Sequence, residues 1–117
     1  MKLLAYISLF TLALTNQGLA QKFFETERVE DAQVKIYAVD DPKDADLLVF
    51  FVYEDKDVTK TGIWMEVDDP KLADVLLIFV DVEAEADLKI WLVDTFEESK
   101  WINEKKKSLL KIKPPKK

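Results

Sequence analysis

The side chains of this 117-residue chain that could do chemistry are carboxylates and lysines. Histidine and cysteine do not occur. Their absence removes the usual general base near neutral pH, the thiol nucleophile and the common ligands of structural zinc. After residue 20 the only serines are Ser99 and Ser108. A Ser-His-Asp triad cannot be assembled, and no glycine-rich phosphate loop is present. The acids fall into three clusters: Asp40, Asp41, Asp44 and Asp46; Asp68, Asp69 and Asp74; and Asp81, Glu83, Glu85 and Asp87. Carboxylates at this density could in principle hydrolyse glycosides or bind calcium through oxygen. None of the clusters has the loop glycine or the ligand spacing of a calcium-binding hand. The plainer role, capping helical turns and solvating loops, is therefore favoured. No catalytic, cofactor-binding or metal-binding residue is assigned, and no cofactor is implied. Tyr37, Phe50, Trp64 and Trp91 could line a sugar or peptide site, but aromatic residues at strand positions more commonly form core.

The elements that position these side chains repeat. Ala32, Ala45, Val58, Ala73, Ala86 and Ser99 lie 13, 13, 15, 13 and 13 residues apart, and similar chemistry recurs at fixed offsets from each. Asp46 to Val52, Asp74 to Val80 and Asp87 to Val93 are near copies of one another. Val39, Val52, Val80 and Val93 each fall seven residues after their anchor, as does Val67 once two extra residues in the third unit are allowed for. Asp40, Asp68, Asp81 and Asp94 follow four of these valines. Each apolar segment is short and rich in β-branched and aromatic residues, which predicts a strand. The runs Leu47 to Tyr53 and Val75 to Val82 are apolar on both parities and read as central strands; Val34 to Val39 and Leu88 to Val93 each admit a lysine and read as more peripheral.

In two links, Asp41-Pro42 and Asp69-Pro70 place a capping acid before a proline suited to the first helical position. Each link is expected to be one helical turn. Gly62 is the single glycine after residue 20, and neither Asn-Gly nor Asp-Gly occurs. Tight two-residue hairpins therefore do not join the strands. Links of about six residues are also shorter than the dozen an ordinary parallel crossover needs. An uncommon path, such as solenoid-like coiling, is implied. Acids early, lysines late and loosely spaced apolar residues predict a short C-terminal helix within Glu97 to Ile112, stopped by Pro114-Pro115.

The start reads as a secretory signal peptide: Met1-Lys2, an apolar run from Leu3 to Leu14, and small residues at Gly18 and Ala20. As a helix that run would rise about 18 Å, short of a bilayer core of about 30 Å. Cleavage after Ala20 is expected, leaving no membrane anchor. The expected organisation is a signal peptide (1–20), an N-terminal extension (21–33), a repeat domain (34–103) and a basic C-terminal tail (104–117). Between Gln21 and Glu104 the net charge is −14, whereas Lys105 to Lys117 carries seven lysines and no acid. The acidic body argues against nucleic-acid binding.

The recurrent Val-Asp, short link, Ala-Asp, apolar strand pattern resembles the Septknot family of bacterial domains of unknown function. Its clearest carriers are Val39-Asp40 to Leu47, Val67-Asp68 to Val75, and Val80-Asp81 to Leu88. The resemblance covers Val34 to about Trp101 and implies a compact domain whose backbone forms a deep seven-crossing knot. The third unit departs from the pattern, with Val58-Thr59-Lys60-Thr61 in place of Ala-Asp. The resemblance brings no catalytic residues.

The resulting expectation is an α+β domain, mainly short β-strands joined by one-turn helices in a tandem thirteen-residue repeat, with a short C-terminal helix. Its expected role is that of an exported, noncatalytic structural or interaction protein, periplasmic or secreted. Its partner would be a protein or an anionic envelope polymer, and its oligomeric state is left open. The alternative is a small ligand- or cation-binding module built on the link carboxylates.

Overall fold

The apolar runs form strands and the segments between them form single 3-10 turns. The computed structural model describes residues 21–111. The strands are β1 (Gln21–Glu25), β2 (Val34–Ala38), β3 (Leu47–Phe51), β4 (Ile63–Glu66), β5 (Val75–Phe79), β6 (Leu88–Leu92) and the two-residue β7 (Lys100–Trp101). All six anchors of the sequence pattern occupy one structural position: Ala32, Ala45, Val58, Ala73, Ala86 and Ser99 are each the C-cap of a 3-10 turn. Asp41 and Asp69 cap their turns as expected, accepting from the backbone N–H of Lys43 and Lys71 at 2.9 Å.

The strands pair in the order β4-β1-β5-β2-β6-β3-β7, and β4 also pairs with β3. The first six strands thus close into a parallel, barrel-like sheet in which each has a neighbour on both sides. Register explains how such short links can join parallel strands. Leu77 of β5 faces Glu25 at the end of β1 on one side and Val34 at the start of β2 on the other. β2 begins level with the point where β1 stops. The link has only to step past one strand, about 10 Å at the usual strand spacing, with no return along the strand. The same arrangement places Ile90 opposite Ala38 and Leu47, Phe23 opposite Glu66 and Val75, and Ile36 opposite Phe79 and Leu88.

Inward-facing Val34, Ile36, Leu47, Val49, Val75, Leu77, Leu88 and Ile90 are fully buried. Phe23, Phe51 and Trp64 add an aromatic cluster, with ring centroids 5.6 to 6.5 Å apart. Trp101 and Leu110 complete the core.

Several expectations require correction. Strands β2 and β6 are not peripheral, because closure gives each two partners. The outward residues of β3 and β5, Leu48, Phe50, Leu76 and Ile78, are only half-buried, so these strands are not covered on both faces. The path coils, but around a closed barrel and not as an open stack. Segment 21–33 is not an extension: it supplies β1, whose partners are β4 and β5. The C-terminal helix is a 3-10 segment, Glu104–Lys111, and Trp101 lies in β7. The expected signal peptide (1–20) and residues 112–117 lie outside the described residues.

The irregular third unit has a topological meaning. Elsewhere in the parallel barrel each link steps past one strand, but the link from β3 to β4 moves to the adjacent place, Phe50 pairing with Ile63. Gly62 enters β4 at φ 89°, and a Cβ there would collide with Ser99 Oγ and lie 3.2 Å from the Leu48 carbonyl oxygen. Gly62→Ala should therefore destabilise the protein by at least about 1 kcal/mol, read as a lower urea midpoint at unchanged slope. A midpoint equal to that of the parent would contradict this account of the turn.

Candidate functional site

The polar residue after each anchor alanine, an aspartate in three units and Gln33 in the first, performs a specific structural task. Asp74, just before β5, donates its N–H to the Lys22 carbonyl at 2.6 Å and accepts the Lys22 N–H on Oδ2 at 2.9 Å. Asp46 does the same to Lys89, and Asp87 to Lys35. Gln33 does so to Leu76, using its side-chain amide oxygen. Each residue thus grips both polar groups of one residue on the neighbouring strand. The side chain serves as the acceptor that a backbone carbonyl would otherwise supply. These bonds join residues 43 to 52 positions apart in sequence.

Asp46 is the most heavily used. Its side chain also accepts from Asn103 Nδ2 at 3.2 Å and lies 3.6 Å from Lys106 Nζ. Its carbonyl receives the N–H groups of Ile102 and Asn103. Lys106 additionally donates to the Asp87 carbonyl at 2.8 Å. One buried carboxylate therefore fastens β3, β6 and the C-terminal segment together. At the far end of that segment, Gln21 Nε2 donates to the Leu110 carbonyl at 2.7 Å.

The carboxylates singled out in the sequence consequently do not converge. Asp46, Asp74 and Asp87 hold backbone groups, which corrects the expectation that they only cap turns or solvate loops. Asp41 and Asp69 are caps, and Asp40, Asp44, Asp68, Asp81, Glu83 and Glu85 are exposed. Among the described residues no three acids are placed to share a metal ion. Lys89 donates to Glu83 at 3.1 Å, and that hydrogen bond and its charge hold the ammonium above its ordinary pKa. Lys56 donates to Glu54 and Asp57, and these hydrogen bonds likewise hold its ammonium above its ordinary pKa. Both amines are biased away from the neutral form a nucleophile requires.

The aromatic residues separate. Trp64 is core, but Tyr37, Phe50 and Trp91 are only half-buried, which corrects their expected place inside. Tyr37, Leu48, Phe50 and Trp91 lie on the outward parity of their strands. Leu48 and Trp91 are register partners on β3 and β6 and, with Pro42 and Val93, floor an open groove of about 360 Å³ edged by Glu97, Glu98 and Lys100.

A family of known proteins has this pattern: the 7(1) septoil knot domain, Septknot, matches residues 20–102. The chain belongs to the Septknot family. The Septknot match includes β1, which the pattern of anchors left out. No curated protein and no solved structure matches the chain.

Removing one clamp should cost more than removing an exposed acid. Asp46→Ala should lower stability by about 2 to 4 kcal/mol, since it orphans buried donors on two elements. Asp46→Asn, which keeps an acceptor for the Lys89 N–H, should recover part of that loss, and Asp81→Ala should change it by less than about 0.5 kcal/mol. Urea denaturation of the three variants checks the order.

Proposed function

We propose that this protein is an exported, noncatalytic interaction protein whose rigid barrel presents an apolar groove with a charged rim to a protein partner. The observation that carries the reading is the outward Leu48–Trp91 pair, left half-exposed between the turns Pro42–Asp44 and Phe96–Glu98. A half-exposed aromatic beside an aliphatic partner, ringed by charge, is the composition of an interaction hot spot with its polar rim. The dispersal of the acids, and the bias of Lys56 and Lys89 toward the ammonium form, support a noncatalytic role. Export rests on residues 1–20, and the family match begins at the residue before the expected cut.

We further infer that one thirteen-residue strand-and-turn unit is the building block, and that the backbone carries the seven-crossing knot for which the family is named. Support comes from strand order. β1, β2 and β3 take alternate places around the barrel, the chain moves one place to β4, and β5 and β6 fill the gaps between the first three. Two interleaved circuits about one axis are the path of a torus knot. Ordinary folds avoid such threading.

Two measurements test these readings. A photo-crosslinking residue at position 91, introduced in the producing cell, should give one discrete adduct absent from a control at Glu85; equal labelling at both positions would refute the groove. Threading should make unfolding slow relative to equilibrium stability. Extrapolated to water, the unfolding rate should lie well below about 1 per second, and a faster rate would count against a deep knot.

A further inference from the structure

The residue that follows each strand's closing N–H is acidic in five links: Glu27, Asp40, Asp68, Asp81 and Asp94. In the sixth it is Tyr53, which is 87% exposed. An aromatic ring placed in water where its counterparts carry charge contributes little to the barrel. Tyr53 edges a shallow depression of about 380 Å³ lined by Phe50, Phe51 and Val52 and rimmed by Glu54 and Asp57. This depression is separate from the Trp91 groove, so an occupant of it is independent of the partner reading.

The route of the C-terminal segment points to an occupant. Leu110 is 1% exposed, and its carbonyl is held by Gln21 at the start of β1. The next residue, Lys22, pairs with Asp55 at 2.8 Å. Asp55–Asp57 is the turn that rims the Tyr53 depression. The path from Leu110 to that turn runs through a 2.7 Å hydrogen bond, the Gln21 side chain, one Cα step of about 3.8 Å, the Lys22 side chain and a 2.8 Å ion pair. Beyond Lys111 the sequence continues Ile112-Lys113-Pro114-Pro115-Lys116-Lys117, three lysines around a proline pair, against a body of net charge −14. Six residues in the extended geometry that proline favours span about 19 Å, a length comparable with that path.

We propose that Lys113 to Lys117 docks in cis on the Tyr53 depression. Aromatic rings beside acids are the surface that recognises basic proline-rich segments: the prolines pack on the ring and the ammonium groups face the carboxylates. Glu54 and Asp57 already contact Lys56 at 3.1 and 3.4 Å, but these ion pairs are exposed and weak enough for further lysines to join or replace them. The tail thereby shields the one surface aromatic that the turn leaves in water.

The absence of cysteine makes the test direct, because Lys117→Cys gives the full chain a single spin-label site. Paramagnetic broadening of the Tyr53 to Asp57 amides should exceed that at the acidic turn Glu83–Glu85 several-fold at low salt. It should fall to that reference level in Tyr53→Ala, a change at an exposed position. Equal broadening at the two turns, or broadening that survives Tyr53→Ala, would overturn the proposal. In a mixture of spin-labelled chain without isotope and isotope-labelled chain without spin label, broadening on the latter would place the tail on a neighbouring copy and overturn docking in cis.

Discussion

The architecture depends on one register constraint: in four of the five links of the parallel barrel, a strand begins level with the end of its predecessor, two places around the sheet. Leu77 facing both Glu25 and Val34 is the clearest instance. Parallel strands otherwise need long crossovers, because the chain must travel back along the strand it has just laid down. Here the stagger replaces that return. A single 3-10 turn then suffices, which is why the link length varies so little and why one small residue, usually alanine, recurs at the turn's end. The acids after the anchors enforce the same constraint. By gripping both polar groups of one residue on the next strand, Asp46, Asp74 and Asp87 fix the stagger at the point where slippage would begin.

Closure decides what the rest of the molecule can offer. The inner face is filled by aliphatic residues and an aromatic cluster, and the C-terminal segment adds Leu110 to that core. Among the described residues the outer face has no covering layer of long helices, only brief turns that leave gaps between them. Surface apolar residues such as Leu48 and Trp91 are therefore a product of the topology, and the acids on the turns form their rim. The proposed binding surface and the fold thus share one origin, the brevity of the links.

Much of this was legible in the sequence because local rules applied. Proline after aspartate marked the turns at Pro42 and Pro70, and the valine- and phenylalanine-rich runs marked the strands. Closure was not legible, since register between strands some forty residues apart leaves no trace in either strand alone. The clamps were hidden for the same reason: an aspartate beside an alanine looks like a cap until its distant partner is known. β1 escaped notice because Gln21 occupies an interior position filled by Val34, Leu47, Val75 and Leu88 in other units. A polar residue is tolerated there because its amide finds the Leu110 carbonyl. Trp91 was misjudged because alternation alone does not reveal that the outer face lacks a second layer. The candidate groove inherits that blindness, being a property of what the fold leaves uncovered.

Within the barrel each of the six parallel strands is paired on both sides, and β3 divides one edge between β4 at its end and β7 at its start. Segments such as Leu47–Phe51 and Val75–Phe79 are the uncharged, β-prone type that stacks into amyloid when an edge is open. The finished protein offers such stacks no template along these strands. The hazard belongs to the interval before the sheet closes, so the speed of ring closure, and not only the stability of the closed ring, governs exposure to it.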